Sequence, residues 1–147
     1  MMLLQKYLPL VARTAIAIIF LHSGIGKLMD FGGTQQQIAG AGLPLAPIVT
    51  VFTIIFLLAG SVSLIAGYRA RIGAWLLIAF LVPATLVFHN PIADPGQMGQ
   101  FLKNLAIVGG IMMVAAYGSG PLSLSSQPQA APTSPQSPVG SGTYSRD

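Results

Sequence analysis

The chain has 147 residues, of which 53% are hydrophobic and only 7% are charged. Soluble domains carry about 25% charged residues, so this composition argues against a water-soluble globular enzyme. The absence of Cys excludes disulfides, catalytic thiolates and Cys-based metal sites. Two His without any Glu are too few ligands for an ordinary catalytic metal site, so no metal is expected. The net charge of +4 comes from scattered Lys and Arg, which does not predict nucleic-acid binding.

Four long apolar segments follow one another, at residues 7–29, 44–67, 72–89 and 101–118. A helix needs about 20 residues to cross the hydrocarbon core of a bilayer, and each segment is close to that length. The uncharged stretch 31–68 is longer than one span, so we predict a loop before the second helix. Backbone groups in lipid must be satisfied within the segment. The sequence therefore predicts an all-α membrane protein, an antiparallel four-helix transmembrane bundle.

The composition changes after Ser119, where Pro, Ser, Gln and Gly replace the large apolar residues. Such a segment buries too little surface to offset the entropy of ordering it. We therefore predict two regions, a transmembrane domain at residues 1–124 and a disordered tail at residues 125–147.

The distribution of basic residues predicts the orientation of the bundle. Cytoplasmic loops carry an excess of Lys and Arg. With both termini inside, the cytoplasmic side carries Lys6, Arg13, Arg69, Arg71 and Arg146. The outer side then carries only Lys27 and Lys103 among the basic residues. We therefore expect a multi-pass protein of the plasma (inner) membrane with cytoplasmic N- and C-termini and a cytoplasmic tail.

Polar side chains at membrane depth are costly and mark candidate functional sites. In the predicted topology Lys27 ends the first helix, His89 ends the third, and Lys103 and Asn104 begin the fourth. All four lie near the outer face, and they form the candidate ligand-binding site. The alternative is that each Lys extends to the lipid head groups, with no shared site.

Helical phase separates the polar residues of the first helix. At about 100° per residue, Arg13, Gly24 and Lys27 lie on one stripe, whereas His22 lies on the opposite side. Arg13 and Gly24 are therefore candidate structural residues of the buried face. In the fourth helix, Gly109 and Gly110 are candidate packing residues, because small residues let neighbouring helices approach closely.

Four stretches resemble the DoxX family of small membrane proteins. RTAIAIIFLHSGIGKLMDF (13–31) is similar to the family's opening, in which an Arg is followed by a Phe and then by a Gly and a Lys three residues apart. GYRARIGA (67–74) resembles the turn between its second and third helices. FLVPATLVFHN (80–90) and FLKNLAIVGGIMMVAAYGSGPLSL (101–124) resemble its third and last helices. One difference is that FLLAGS (56–61) stands where family members often carry an acidic residue.

The resemblance implies a small subunit of a membrane redox system, quinone-linked or thiol-linked, or a component of an oxidative-stress complex. No cofactor is evident in the sequence itself, and a quinone is the ligand that such a role implies. The expected partners are the lipid bilayer and redox-complex subunits, with self-association left open. The alternative hypothesis is a non-catalytic assembly or stability partner, or a lipid-binding protein.

Overall fold

The computed structural model describes residues 2–124 of the chain, and the side chain of Met2 is not described. The predicted tail at 125–147 therefore lies outside the described residues. The elements are α1 (Met2–Met29), α2 (Phe31–Gly40), α3 (Ala46–Ala66), α4 (Ala70–Phe88) and α5 (Met98–Tyr117), with a 3-10 turn at Pro95–Gln97 before α5. No strand occurs in this part of the chain.

Four of the described helices are long and apolar enough to cross a membrane, at Leu3–Met29, Ala46–Ala66, Ala70–Phe88 and Pro95–Tyr117. They form the antiparallel four-helix bundle that the sequence predicts. α1 packs against α3, α3 against α4 and α4 against α5, with a smaller contact between α1 and α5. Large apolar side chains cover the outside of the bundle, for example Ile18, Val51, Val62, Leu86 and Leu105. An exposed apolar surface of this extent suits contact with lipid.

The predicted loop before α3 is wrong in part, because residues Phe31–Gly40 form the short helix α2. The carboxylate of Asp30 accepts a hydrogen bond of 3.0 Å from the backbone N–H of Gly33, which satisfies one of the free donors at the start of α2. Thr34 and Ile38, one turn apart, are both buried. This buried face packs α2 against α3.

Residues 118–124 fold back across the end of the bundle where α1 begins, and we name them the C-terminal strap. The buried guanidinium of Arg13 donates hydrogen bonds to the carbonyl oxygens of Ser119 and Leu122. The backbone N–H of Leu124 donates to the carbonyl oxygen of Ala66, at 3.1 Å. Arg13 therefore ties the strap to α1, close to the turn between α3 and α4.

Candidate functional site

One cavity of about 540 Å³ lies at the opposite end of the bundle from the strap, and all five helices contribute to its wall. Most of the lining side chains are apolar, and five of them are Phe residues. The apolar lining residues are Ile19, Phe20, Ile38, Leu43, Val49, Phe52, Phe56, Ala79, Phe80, Leu81, Pro83, Ala84, Val87, Phe88 and Ile107. Several of them, including Phe52 and Val87, are also exposed, so the cavity opens at the surface. Its volume lies in the range of small-molecule sites, about 300–1,000 Å³.

The polar lining residues include all four candidate ligand-binding residues, Lys27, His89, Lys103 and Asn104. They come from the end of α1, the end of α4 and the first turns of α5. Because successive spans run in opposite directions, these positions meet at the same end of the bundle. The structure thus places the four residues on the wall of one cavity, where Lys27 is half-buried and Lys103 is exposed.

The ammonium groups of Lys27 and Lys103 have no hydrogen-bond or ion-pair partner among residues 2–124. Asp30, the acidic residue nearest to Lys27 in sequence, binds the backbone of α2 instead. Lys27 is half-buried and Lys103 is exposed, and an ammonium group partly removed from water beside an apolar wall carries a desolvation cost. A ligand that brings negative charge or hydrogen-bond acceptors would relieve this cost.

A chain of hydrogen bonds orients His89 from the loop between α4 and α5. Nδ1 of His89 lies 2.9 Å from Oε1 of Gln97. Nε2 of Gln97 donates to Oδ2 of Asp94 at 3.3 Å. The other carboxylate oxygen, Oδ1 of Asp94, accepts from the backbone N–H of Gly96 at 2.9 Å. The loop therefore fixes both the Gln97 amide and the imidazole edge that it contacts.

A second pair of contacts orients Asn104. Its Nδ2 donates to Oγ1 of Thr85 at 3.0 Å. The Thr85 hydroxyl in turn donates to the carbonyl oxygen of Leu81 at 2.7 Å. Thr85 is buried, so it holds the amide of Asn104 at a defined position on the cavity wall.

Sequence reasoning missed the contribution of α2 and the aromatic wall. Thr34 and Gln37 of α2 line the cavity, and their spacing with Ile38 places them on one face of a helix. The two Gly and three Gln residues of this segment give it no strong apolar periodicity, so its buried face was not evident from the sequence. On α3, the rings of Phe52 and Phe56 lie edge to face, with centroids 6.2 Å apart. Their spacing of four residues in the sequence indicates that the two rings are neighbours on a helix.

The candidate structural residues have different environments. Arg13 is 2% exposed and holds the strap. Gly24 is buried, and a Cβ there would lie 2.8 Å from the Leu58 side chain of α3. A Cβ on Gly110 would lie 3.0 Å from Ile16 of α1, so Gly110 sits at a close contact. Gly109 is exposed, and a Cβ there would meet no atom within 4 Å, so it makes no close helix contact.

His22 is exposed on α1 and is not among the lining residues of the cavity. It and His89 therefore do not share this site.

Comparisons with known proteins identify the family. The sequence profile of the DoxX family matches residues 8–90. The chain is 32% identical over 117 residues to inner membrane protein YqjF of Escherichia coli strain K12. This alignment covers 78% of this chain and 87% of that protein. It is 29% identical over 125 residues to inner membrane protein YphA of the same organism, covering 82% of this chain and 89% of that protein. No solved structure matches the chain significantly.

The profile covers more than half of the chain, and the first of these relatives aligns over most of both sequences. The four apolar spans of this chain and its inner-membrane relatives together support a multi-pass protein of the plasma membrane. The chain belongs to the DoxX family.

Proposed function

We propose that this chain is an accessory subunit of a membrane redox system and that its cavity binds the head group of a membrane quinone. The observation that carries the proposal is the cavity of about 540 Å³, which combines an apolar, Phe-rich wall with two Lys side chains that have no partner within residues 2–124. A hydrophobic ring with an isoprenoid tail fits the apolar part. Its carbonyl oxygens are acceptors for the donors at the polar end.

The roles of the polar residues follow from their charge and position. Lys27 and Lys103 would stabilise negative charge on the bound ring, and the oriented amide of Asn104 would hydrogen-bond one of its oxygens. A bound quinone would supply two-electron, two-proton chemistry. The chain contains no Cys, so thiol chemistry would come from a partner subunit, which is why we propose an accessory role.

The first prediction concerns quinone retained during purification. Replacing both Lys27 and Lys103 by Met should lower the quinone per protein at least about tenfold, because two charge-assisted hydrogen bonds are worth well over 1.4 kcal/mol together. The measurement is organic extraction of protein purified in a mild detergent, followed by mass spectrometry of quinones and phospholipids. Lys6, which is exposed near the start of α1, provides the matched control Lys6→Met.

The same extraction separates the proposal from lipid binding. If the double variant loses anionic phospholipid and retains its quinone, the cavity is a lipid-phosphate site and the quinone proposal is wrong. If Lys6→Met lowers the quinone content equally, the effect is one of overall charge. An unchanged thermal midpoint in the double variant would show that the bundle itself is intact.

We further propose that the cavity opens toward the outer side of the membrane and that both termini are cytoplasmic. The bundle end with the strap carries Arg13, Arg69 and Arg71, whereas the cavity end carries Lys27 and Lys103 with two Asp in its loops. This distribution supports the orientation through the positive-inside rule.

The second prediction tests this orientation with single Cys residues, since the natural chain has none. Gln36 and Ala93 are exposed at the cavity end, and Tyr68 is exposed at the strap end. In intact cells with the outer membrane permeabilised, Gln36→Cys and Ala93→Cys should react with an impermeant maleimide. Tyr68→Cys should react only after the inner membrane is lysed. The reverse pattern would contradict the proposed orientation.

A further inference from the structure

The hydrogen-bond chain at the end of α4 decides which nitrogen of His89 carries the proton. A carboxylate only accepts hydrogen bonds, so Asp94 requires the Nε2 amide group of Gln97 to face it, at 3.3 Å. The amide oxygen of Gln97 therefore faces His89, at 2.9 Å from Nδ1. An oxygen acceptor requires a donor opposite it. Nδ1 of His89 consequently carries the proton, and Nε2 of the neutral ring is unprotonated.

The position of Gln97 favours the Nε2 edge of His89 as the edge turned toward the cavity. His89 lines the cavity, whereas Gln97, which contacts Nδ1, does not. Nε2 has no hydrogen-bond partner among residues 2–124. The cavity lining therefore combines a ring nitrogen that can accept a hydrogen bond with two ammonium groups that can only donate.

We propose that His89 is a specificity-determining residue that selects a ring bearing a hydroxyl group, the reduced form of the quinone, over a ring bearing only carbonyl groups. A hydroxyl group donates to Nε2, whereas a carbonyl oxygen placed there meets a second lone pair. The Lys side chains can donate hydrogen bonds to either form, because both forms carry oxygen acceptors. This inference rests on the proposed quinone site and adds to it which form of the ring is favoured.

Lys27 of α1 and Lys103 of α5 line the same cavity, and neither ammonium group can accept a hydrogen bond from a ring hydroxyl. Asp94 reaches the ring only through Gln97. The residues that α2 and α3 contribute to the cavity include no titratable side chain.

The test uses three decyl-substituted probes with the same ring: the hydroquinone kept reduced with ascorbate, the quinone, and the dimethyl ether of the hydroquinone. Binding to full-length protein in nanodiscs is measured by equilibrium dialysis at about pH 8, above the ordinary His pKa of about 6.5. The hydroquinone should bind about three- to tenfold more tightly than the quinone, the gain expected from one net hydrogen bond. The ether, which lacks a donor, should show no such gain.

Two variants and one control assign the preference to His89. His89→Ala should bind hydroquinone and quinone equally. Gln97→Leu removes the acceptor that fixes the Nδ1 proton, so Nε2 can also donate to a carbonyl oxygen and the preference for hydroquinone should fall. His22→Ala removes the exposed His of α1 and should behave like the natural protein.

The possible failures are distinguishable. If none of the probes binds, the proposed quinone site is wrong and the inference fails with it. If quinone and hydroquinone bind equally to the natural protein, the site stands and the role of His89 is wrong. A hydroquinone preference that survives in His89→Ala would likewise overturn this role.

Discussion

Replacing Arg13 by Met is expected to lower the free energy of unfolding by about 2–4 kcal/mol, because two carbonyl groups lose a charged donor. In the native bundle, the guanidinium of Arg13 donates to the carbonyl oxygens of Ser119 and Leu122. Arg13 is 2% exposed, so water does not replace the lost hydrogen bonds without opening the strap. Unfolding in mixed micelles of mild detergent and dodecyl sulfate would measure the change.

The conservative change Arg13→Lys should also destabilise the bundle. A single ammonium group does not reproduce the planar fork with which Arg13 binds two separate carbonyl groups. Arg71 provides the matched control, since it is exposed and makes one long contact of 3.4 Å with the carbonyl oxygen of Ala116. Arg71→Met should change the stability by no more than about 0.5 kcal/mol. An equal loss in both Met variants would mean that Arg13 has no special role in holding the strap.

Gly67 gives an independent check of this packing. Its φ of 68° lies in the left-handed region, and a Cβ there would lie 2.8 Å from Nη1 of Arg13 and 2.5 Å from Ser123. Gly67→Ala should therefore destabilise the natural protein through both backbone strain and steric overlap. In the Arg13→Met background part of the overlap is relieved, so the two effects should be less than additive. Full additivity would contradict the observed contact.

A second large effect is expected where α3 crosses α4. A Cβ on Gly73 would lie 2.6 Å from Cβ of Ser63 and 3.0 Å from the carbonyl oxygen of Gly60. Gly73→Ala should therefore force the two helices apart and cost about 1–3 kcal/mol, the usual range for overpacking. The same unfolding measurement in mixed micelles would detect the loss.

Gly109 provides the control for this substitution. It lies within α5, and an added Cβ would meet no atom within 4 Å. Gly109→Ala should leave the free energy of unfolding unchanged or raise it by up to about 1 kcal/mol, because Ala favours a helix interior more than Gly does. A loss at Gly109 as large as that at Gly73 would show that the close crossing of α3 and α4 is not the cause.

The four spans were predictable because long apolar runs have few other stable forms in lipid. The segment of α2 was not, since its Gly32, Gly33 and Gln residues lack a strong apolar period. Its helical form depends on the Asp30 cap and on burial of Thr34 and Ile38 against the other helices. Such tertiary contacts override local preference and are not visible in sequence alone.

The end of the bundle at which the candidate site residues lie was predictable, because the position of a residue along its helix determines its depth in the membrane. Alternating helix directions place Lys27, His89 and Lys103 at one end of the bundle. The orientation of the His89 ring was not predictable, because it depends on the loop conformation that brings Gln97 and Asp94 together. The role of Arg13 in holding the strap depends similarly on how the chain turns back after α5.

Photoaffinity labelling with an azido-quinone tests most directly whether the cavity binds a quinone. Labelling of the protein in nanodiscs, followed by peptide mass spectrometry, should place the modification on cavity-lining segments of α2 and α3, around Gln37 and Phe52. Excess unlabelled quinone should suppress it, and the Lys27→Met, Lys103→Met double variant should show little labelling. Labelling confined to the outward face of α1 around His22, or labelling that excess quinone does not suppress, would contradict a quinone site in this cavity.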